Sequence, residues 1–285
     1  MFYFFIKKLF LHYLGILFFF EINKTNRIFK KKTDTIFILG SGSTINEIGQ
    51  EEWLHIKKNT SIGFNYFMFH DFVPDSYLIE PERKKDFERC RNLIRLIKTK
   101  KKYLSKTYVI MHRMGCYQML KFYLKKNKIN YKLFTPFDFG LNSIKKLDKI
   151  LNSFFLKIIN VFFVPAQGCA SVERIVLSAY LSGYKKIVLC GVDLNNNEYF
   201  FYQKGKYENI LKSNARILEK YNKFHHSKNV HSTNDTNKAK QGITISEILK
   251  VYNKCFKKND VELYTLNKKS VLSDFLPTYE IKNKV

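Results

Sequence analysis

Apolar residues fall into short runs, each closed by glycine, asparagine or proline, with amphipathic stretches between them. Thr35 to Leu39 is a β-branched and aromatic run that ends in Gly40-Ser41-Gly42-Ser43-Thr44 and leads into the mixed stretch Ile45 to Ile56. That order predicts a strand, a glycine turn and a helix. Thr60 to Phe64, ending at Asn65, and Ser76 to Ile79, ending at Glu80-Pro81, predict two more strands. Tyr108 to Met111 and Ile159 to Val164 form a further apolar pair around a basic middle section. Gly168 to Gly183 has helical spacing that turns Ala170, Val172, Ile175, Val176, Ala179 and Tyr180 to one side, and Lys186 to Cys190 follows as a buried strand ending in Gly191-Val192-Asp193. A helix over Ile245 to Phe256, a strand over Val261 to Leu266 and the segment Ser270 to Pro277 close the pattern. Strand alternating with helix predicts an α/β fold with one Rossmann-like, doubly wound, mostly parallel sheet.

Two stretches fall outside this alternation. Asn195 to Thr236 keeps no apolar period and is rich in Asn, Lys, Tyr and His, too long for an ordinary connection, so a lid subdomain is expected over about 195–236. Residues 2–22 are strongly apolar but interrupted by Lys7, Lys8 and His12, and the unbroken part, Tyr13 to Phe20, is too short to cross about 30 Å of hydrocarbon. No small-residue cleavage site follows; a basic cluster from Lys24 to Lys32 does. The segment 1–32 is therefore expected to be an N-terminal membrane-associating helix lying in the interface, its lysines over anionic headgroups. A buried N-terminal helix is the alternative from the same pattern. The remaining unit is 33–285.

Composition adds a field and little else. Lys plus Arg number 50 against 24 Asp plus Glu, a formal charge of +26, which draws any polyanion. Charge alone does not separate nucleic acid from a membrane leaflet, a phosphorylated lipid or a nucleotide. No zinc knuckle or aromatic RNA-binding signature supports nucleic acid. The five cysteines are scattered, with no C-x-x-C or Cys/His spacing for zinc, and a reducing cytoplasm is the compartment expected.

The turn Gly40 to Thr44 lies between a strand and a helix, where backbone N–H groups and the helix dipole can receive a phosphate. It is neither a Walker A loop nor the full G-x-G-x-x-G fingerprint. A purely structural glycine turn is the competing reading.

Ile38 to Ile48 is similar to the Gly-Asn-Gly-Pro-Ser-Leu opening of glycosyltransferase family 42, the bacterial CMP-sialic acid sialyltransferases of lipooligosaccharide synthesis, and Ser61 to Phe69 resembles that family's Asn-aromatic motif after the second strand. The longest match runs from Gly168 through Gly183-Tyr184 to Gly191-Val192-Asp193, and the tail repeats a Leu-Tyr-x-Leu strand at Leu263 to Leu266 and a Ser-x-Leu segment at Ser270 to Pro277. Together the matches span 36–277, with Lys84 to Phe163 unmatched.

The resemblance implies a GT-A-like variant of the sheet, with 33–285 as a nucleotide-sugar-binding glycosyltransferase domain. It implies inverting, metal-independent transfer of sialic acid, a related nonulosonic acid or Kdo from a CMP donor to a hydroxyl of a lipid-linked surface glycan. The expected partners are then the CMP-sugar, that glycan and the anionic inner leaflet, at the cytoplasmic face of the inner membrane; a homo-oligomer is compatible and nucleic acid is not expected. No cofactor is expected, and the chain has no Asp-x-Asp for a divalent ion. Carried over by position, Gly40, Ser41, Gly42, Ser43, Thr44, Asn65, Gln167, Gly168, Asp193 and Asn195 contact the donor. Tyr199 and Tyr202 flank the place of a tyrosine that assists departure of the phosphate. His231 is the acceptor's general base, with His226, in His226-Ser-Lys-Asn, as the alternative. Three positions depart from the family pattern: Ser41 replaces an asparagine, Asn195 replaces the first tyrosine, and no arginine stands shortly before Gly168. A catalytically decayed nucleotide- or glycan-binding protein of a surface-polysaccharide locus is the alternative function.

Overall fold

A computed structural model describes residues 29, 31–80, 94–112, 117–134, 136–138, 143–152, 164–166, 170–195, 198–203, 205–208, 212, 233–235 and 242–281. Its main sheet has seven strands: β1 (Thr35–Leu39), β2 (Thr60–Phe64), β3 (Ser76–Ile79), β4 (Tyr108–His112), β5 (Tyr131–Phe134), β8 (Lys186–Cys190) and β9 (Glu262–Thr265). Their order is β5-β4-β3-β2-β1-β8-β9, and every pairing is parallel. Between β5 and β8, β6 (Pro136–Asp138) and β7 (Val164–Ala166) form a small parallel pair of their own, which the sequence pattern does not predict.

The central strands read as continuous apolar runs because both of their faces are covered. Ile36 and Ile38 of β1, with Ile187 and Leu189 of β8, face one core; Phe37 and Leu39, with Val188 and Cys190, face the other. The first core is filled by α4 (Ile144–Leu151), α5 (Ser171–Leu181) and α6 (Ile245–Lys257). The second takes Ile56 of α1 (Gln50–Lys58), Leu104 of α2 (Lys101–Leu104), Leu120 and Leu124 of α3 (Tyr117–Lys126) and the aromatic 3₁₀ turn Asn65–Phe69. The sheet is therefore doubly wound, as expected from the alternation, and wholly parallel among the described strands.

Local chemistry sets the helix ends. Thr244 caps α6 in a reciprocal box with Glu247: the Glu247 amide donates to the Thr244 hydroxyl at 3.3 Å and the Thr244 amide donates to the Glu247 carboxylate at 2.7 Å. Helix α5 ends at Gly183, in the left-handed region at φ 79°, where Gly183 N–H reaches Tyr180 O and Tyr184 N–H reaches Ala179 O. The helix predicted from Ile45 splits at Gly49 into a 3₁₀ turn, Ser43–Glu47, and α1. Helix α5 begins three residues after the expected Gly168, and residues 153–163, which include most of the predicted strand Ile159 to Val164, lie outside the described residues.

Residues 1–28 and 30 also lie outside the described residues, so the membrane-associating helix is not among them; no described helix is long and apolar enough to cross a membrane. Phe29 is buried against Tyr184 with ring centroids 6.0 Å apart. Lys31 pairs with Asp34 at 2.6 Å and donates to Gly183 O, and Lys32 pairs with Asp75 at 2.5 Å. These two lysines of the basic cluster thus engage the residues that precede β1 and β3. Of the stretch expected as a lid, Phe200 and Phe201 are fully buried and Tyr207 nearly so, while most of 209–241 lies outside the described residues.

Candidate functional site

Strand order reverses at β1: β2 through β5 extend to one side and β8 with β9 to the other. In open parallel sheets a ligand crevice lies outside the strands' carboxyl ends at such a switch point. The residues that follow the strands there are Gly40 after β1, Asn65 after β2, Glu80 after β3 and Gly191 after β8.

The two turns beside the switch point are bonded to each other. Gly40 N–H donates to Cys190 O at 2.8 Å and Gly42 N–H to Gly191 O at 2.9 Å. A Cβ on Gly40 would stand 2.4 Å from Gly191 O, and one on Gly42 would stand 2.4 Å from the Asp193 carboxylate. Asp193 is buried and accepts from the Thr44 amide at 3.1 Å, the Thr44 hydroxyl and, at 3.4 Å, the Ser43 hydroxyl. Burial raises its carboxyl above the usual range, against these hydrogen bonds and with a small push from Glu47. The chain's own carboxylate thus holds the Thr44 N–H. Asp193 acts as the clasp between the two turns, and any phosphate near Gly40 to Ser43 must approach beside that clasp.

The aromatic segment after β8 closes over the first turn. Tyr199 bridges Gly42 across the backbone, Phe200 N–H donates to Ser41 O at 3.1 Å, and the Asn46 amide donates to Phe200 O at 2.7 Å. The Tyr199 ring lies edge-on to Tyr66 at 5.6 Å, stacks on Phe201 at 5.1 Å and stands 6.1 Å from Tyr202. Tyr199 therefore sits next to the residue that follows Asn65, and Tyr202 packs behind it, against Tyr199 and Phe201.

Asn65 is held in the left-handed region, φ 52°, where asparagine is tolerated better than most side chains. Its carbonyl accepts from the buried Tyr77 hydroxyl, which also receives the Met68 amide at 3.1 Å. Burial raises the Tyr77 phenol far above its ordinary value, so it stays a neutral donor. The Asn65 side-chain oxygen lies 3.4 Å from the Ser171 hydroxyl, which donates to Glu80; the Arg174 guanidinium donates to the other Glu80 oxygen at 2.7 Å. Ser171 is the first residue of α5, whose N-cap Ala170 has no side chain able to cap, so the positive end of that helix faces the rim beside Asn65.

The structure therefore brings together Gly40, Ser41, Gly42, Ser43, Thr44, Asn65, Asp193, Tyr199 and Tyr202. Asn195 is at the same edge, but its side-chain amide donates to Lys269 O at 3.0 Å, away from Asn65. Gln167, Gly168, His226 and His231 lie outside the described residues. Ser171, Arg174 and Glu80 belong to the rim and were not predicted. Glu80 follows β3 and Ser171 opens α5 at the sheet's carboxyl edge, a positional signal, whereas Arg174 lies one turn into that helix and carries none. Among the described residues no group of His, Cys, Asp or Glu is arranged to hold a metal ion.

No family model and no curated protein matches the chain. Among solved structures it is similar to the sialyltransferase CstII from Campylobacter jejuni in complex with cytidine-5'-monophosphate, at 20% identity and TM-score 0.45, covering 90% of this chain and 89% of that one. It is also similar to an α-2,3-sialyltransferase from Campylobacter jejuni in apo form, at 18% identity and TM-score 0.46, over 90% and 84% of the chains. A third is the monofunctional α-2,3-sialyltransferase Cst-I from Campylobacter jejuni, at 17% identity and TM-score 0.46, over 91% and 86%.

Proposed function

We propose that the protein is a glycosyltransferase that moves sialic acid, a related nonulosonic acid or Kdo from a CMP donor to a hydroxyl of a lipid-linked surface glycan. The observation that carries the reading is the meeting, at the switch point, of two motifs far apart in sequence, Gly40 to Thr44 and Gly191 to Asp193, with Asn65 and the α5 N-terminus beside them. A single phosphodiester suits that crevice, since the helix end offers backbone donors and a partial positive charge for one anionic group.

In the reaction the acceptor hydroxyl attacks the anomeric carbon as the bond to the phosphate oxygen breaks, which inverts the centre and releases CMP. His231, or His226, takes the hydroxyl proton. Tyr199, at the rim, and Tyr202, behind it, donate to the departing phosphate as its charge grows. The step uses no metal and is expected to survive chelation. The segment 1–32 holds the enzyme at the cytoplasmic face of the inner membrane, near a lipid-linked acceptor.

The test is release of CMP, and glycan transfer, from CMP-Neu5Ac, CMP-Kdo and CMP-pseudaminate by purified protein, with and without EDTA. Turnover from at least one donor is expected, and turnover from none overturns the reading. A binding protein without catalysis is favoured by one observation, the Asn195 side chain turned to Lys269 O where the resemblance places a catalytic tyrosine. Donor-stabilised protein that never releases CMP would establish that second reading.

A further inference from the structure

We propose that the amino edge of the sheet, opposite the crevice, is a docking face for an anionic lipid bilayer. The inference goes beyond the glycosyltransferase reading and does not depend on what the crevice binds.

In a parallel sheet each crossover helix returns the chain to the start of a strand, so the helix ends gather at one edge. Here at most four residues separate α1 from β2, α2 from β4, α3 from β5, α5 from β8 and α6 from β9. Helix α1 ends in Lys57-Lys58, α3 in Lys125-Lys126 and α6 in Lys257, with Lys258 next, and all of them are exposed. A helix dipole attracts cations into the last turn, and its pull fades beyond it. Lys106, Lys128, Lys185 and Lys186 are exposed as well but stand past the helix ends, where the dipole gives no reason for them. Two acids at this edge are already paired, Asp34 with Lys31 at 2.6 Å and Asp75 with Lys32 at 2.5 Å, while Asp260 and Glu262 oppose the lysines around the start of β9. The edge is therefore a broad cationic face.

Two observations select a bilayer as the occupant. Phe122 of α3 is 71% exposed, one turn after the exposed Met119 and one turn before Lys125 and Lys126, while Leu120 and Leu124 of the same helix are buried in the core. An aromatic ring beside lysines suits a membrane interface, where the ring enters the acyl boundary and the ammonium groups stay among the headgroups; a nucleic-acid duplex offers the ring no apolar layer. The second observation is continuity. The apolar stretch 2–22 and the basic cluster Lys24 to Lys32 lead to Phe29, which packs on Tyr184 just before β8, so they join the described fold at this same edge. The crevice lies at the far end of the strands, about 17 Å away for a strand of this length, which exceeds a Debye length of about 10 Å at about 0.1 M salt. It therefore faces away from the bilayer, and lysines beside it add little to the attraction.

The experiment is flotation of the full chain with vesicles of phosphatidylcholine alone and of phosphatidylcholine with phosphatidylglycerol, at about 0.1 M salt. Wild type is expected to prefer the anionic vesicles. Lys57→Gln/Lys58→Gln and Lys125→Gln/Lys126→Gln should each lower that preference by roughly tenfold or more, at about fivefold per lysine. The pair Lys206→Gln/Lys268→Gln removes the same charge at the carboxyl edge, where Lys206 reaches Asn46 and Lys268 follows β9, and should change the preference by less than about twofold. Phe122→Ser should lower binding to both kinds of vesicle by about fivefold, through the apolar area it no longer inserts. Each preference is a ratio taken within one protein sample, so a partly unfolded variant does not distort it. Equal losses from the two edges overturn the inference, because the attraction is then the diffuse field of the whole chain. Wild type that binds both vesicles equally overturns it too, and leaves 1–32 as the sole anchor with the membrane placement proposed above intact. Unchanged binding by Phe122→Ser, or duplex RNA that binds through the same lysine pairs while vesicles do not, overturns the bilayer as the occupant of this face.

Discussion

Acid should weaken this fold through His70, by an amount the structure allows to be worked out. The imidazole packs against Trp53, with centroids 4.7 Å apart, stacks on Phe67 at 5.3 Å, and stands edge-on to Phe200 at 5.6 Å. Its Nδ1 accepts from the Phe72 amide at 3.0 Å, which requires the neutral ring with its proton on Nε2. Burial pushes the ring from 6.5 down to about 4; Lys206 and Lys100 push the same way and Asp71 opposes them. A depressed imidazole keeps its full contribution to stability above about 6.5, loses it as pH falls, and has lost it below about 4. At about 1.36 kcal/mol per pH unit, that gap corresponds to about 3 kcal/mol. The assay is urea unfolding of wild type and His70→Asn at pH 7, 6, 5 and 4. The asparagine oxygen can still take the Phe72 amide but does not titrate. The variant should be weaker at pH 7, through lost ring contacts, by about 1–3 kcal/mol. The gap between the two proteins should then close or reverse towards pH 4, and a gap that stays constant with pH refutes the reasoning. Phe67 and Phe200 belong to the segments that carry Asn65 and Tyr199, so nucleotide binding should weaken over the same range.

Two substitutions test the rim. Gly42→Ala drives a methyl into the Asp193 clasp, 2.4 Å from its carboxylate, so a loss of about 1–3 kcal/mol and of any thermal shift by cytidine nucleotides is expected. Gly49→Ala, whose methyl would find nothing nearer than 3.7 Å, is the control that should stay close to wild type in the same melting assay. Tyr77→Phe removes the donor to Asn65 O and the acceptor for the Met68 amide, and should cost about 1–3 kcal/mol in unfolding experiments. It should also weaken CMP binding by releasing the Asn65 backbone, and unchanged affinity would show that Asn65 needs no such support.

The strands most legible in the sequence are those buried on both faces. β1, β2, β3 and β8 have the bounds the sequence pattern predicts, their apolar residues covered on both faces and the polar Thr60, Ser61 and Ser76 small enough to be buried as well. β5, at one edge of the sheet, reads Tyr-Lys-Leu-Phe, four residues with a lysine among them, too short and mixed a run to stand out, whereas β9 at the other edge lies inside the predicted Val261 to Leu266. The glycine turn and the Gly-Val-Asp turn were legible from turn chemistry, but not that Asp193 would grip Thr44, a pairing of residues 149 positions apart. Ser171 and Glu80 escaped for the same reason, since 91 positions separate them and neither belongs to a local motif. The single residue Asn65 bridges the two kinds of information: its place after a strand is local, and its left-handed backbone is fixed by Tyr77, twelve positions on.

The place of β1 in the middle of the sheet also bears on how the chain comes into being. Ile36 pairs with Thr60 on one side and with Ile187 on the other. As synthesis proceeds, β2 can cover one side of β1 early, while the opposite side stays an open, apolar edge until about 150 further residues have been made. Such an edge invites pairing with another chain, and non-local closure of this kind is slow. Chains stopped before Cys190 should aggregate where complete ones do not, and none of them would present a finished rim, because Asp193 arrives with the strand that closes the sheet.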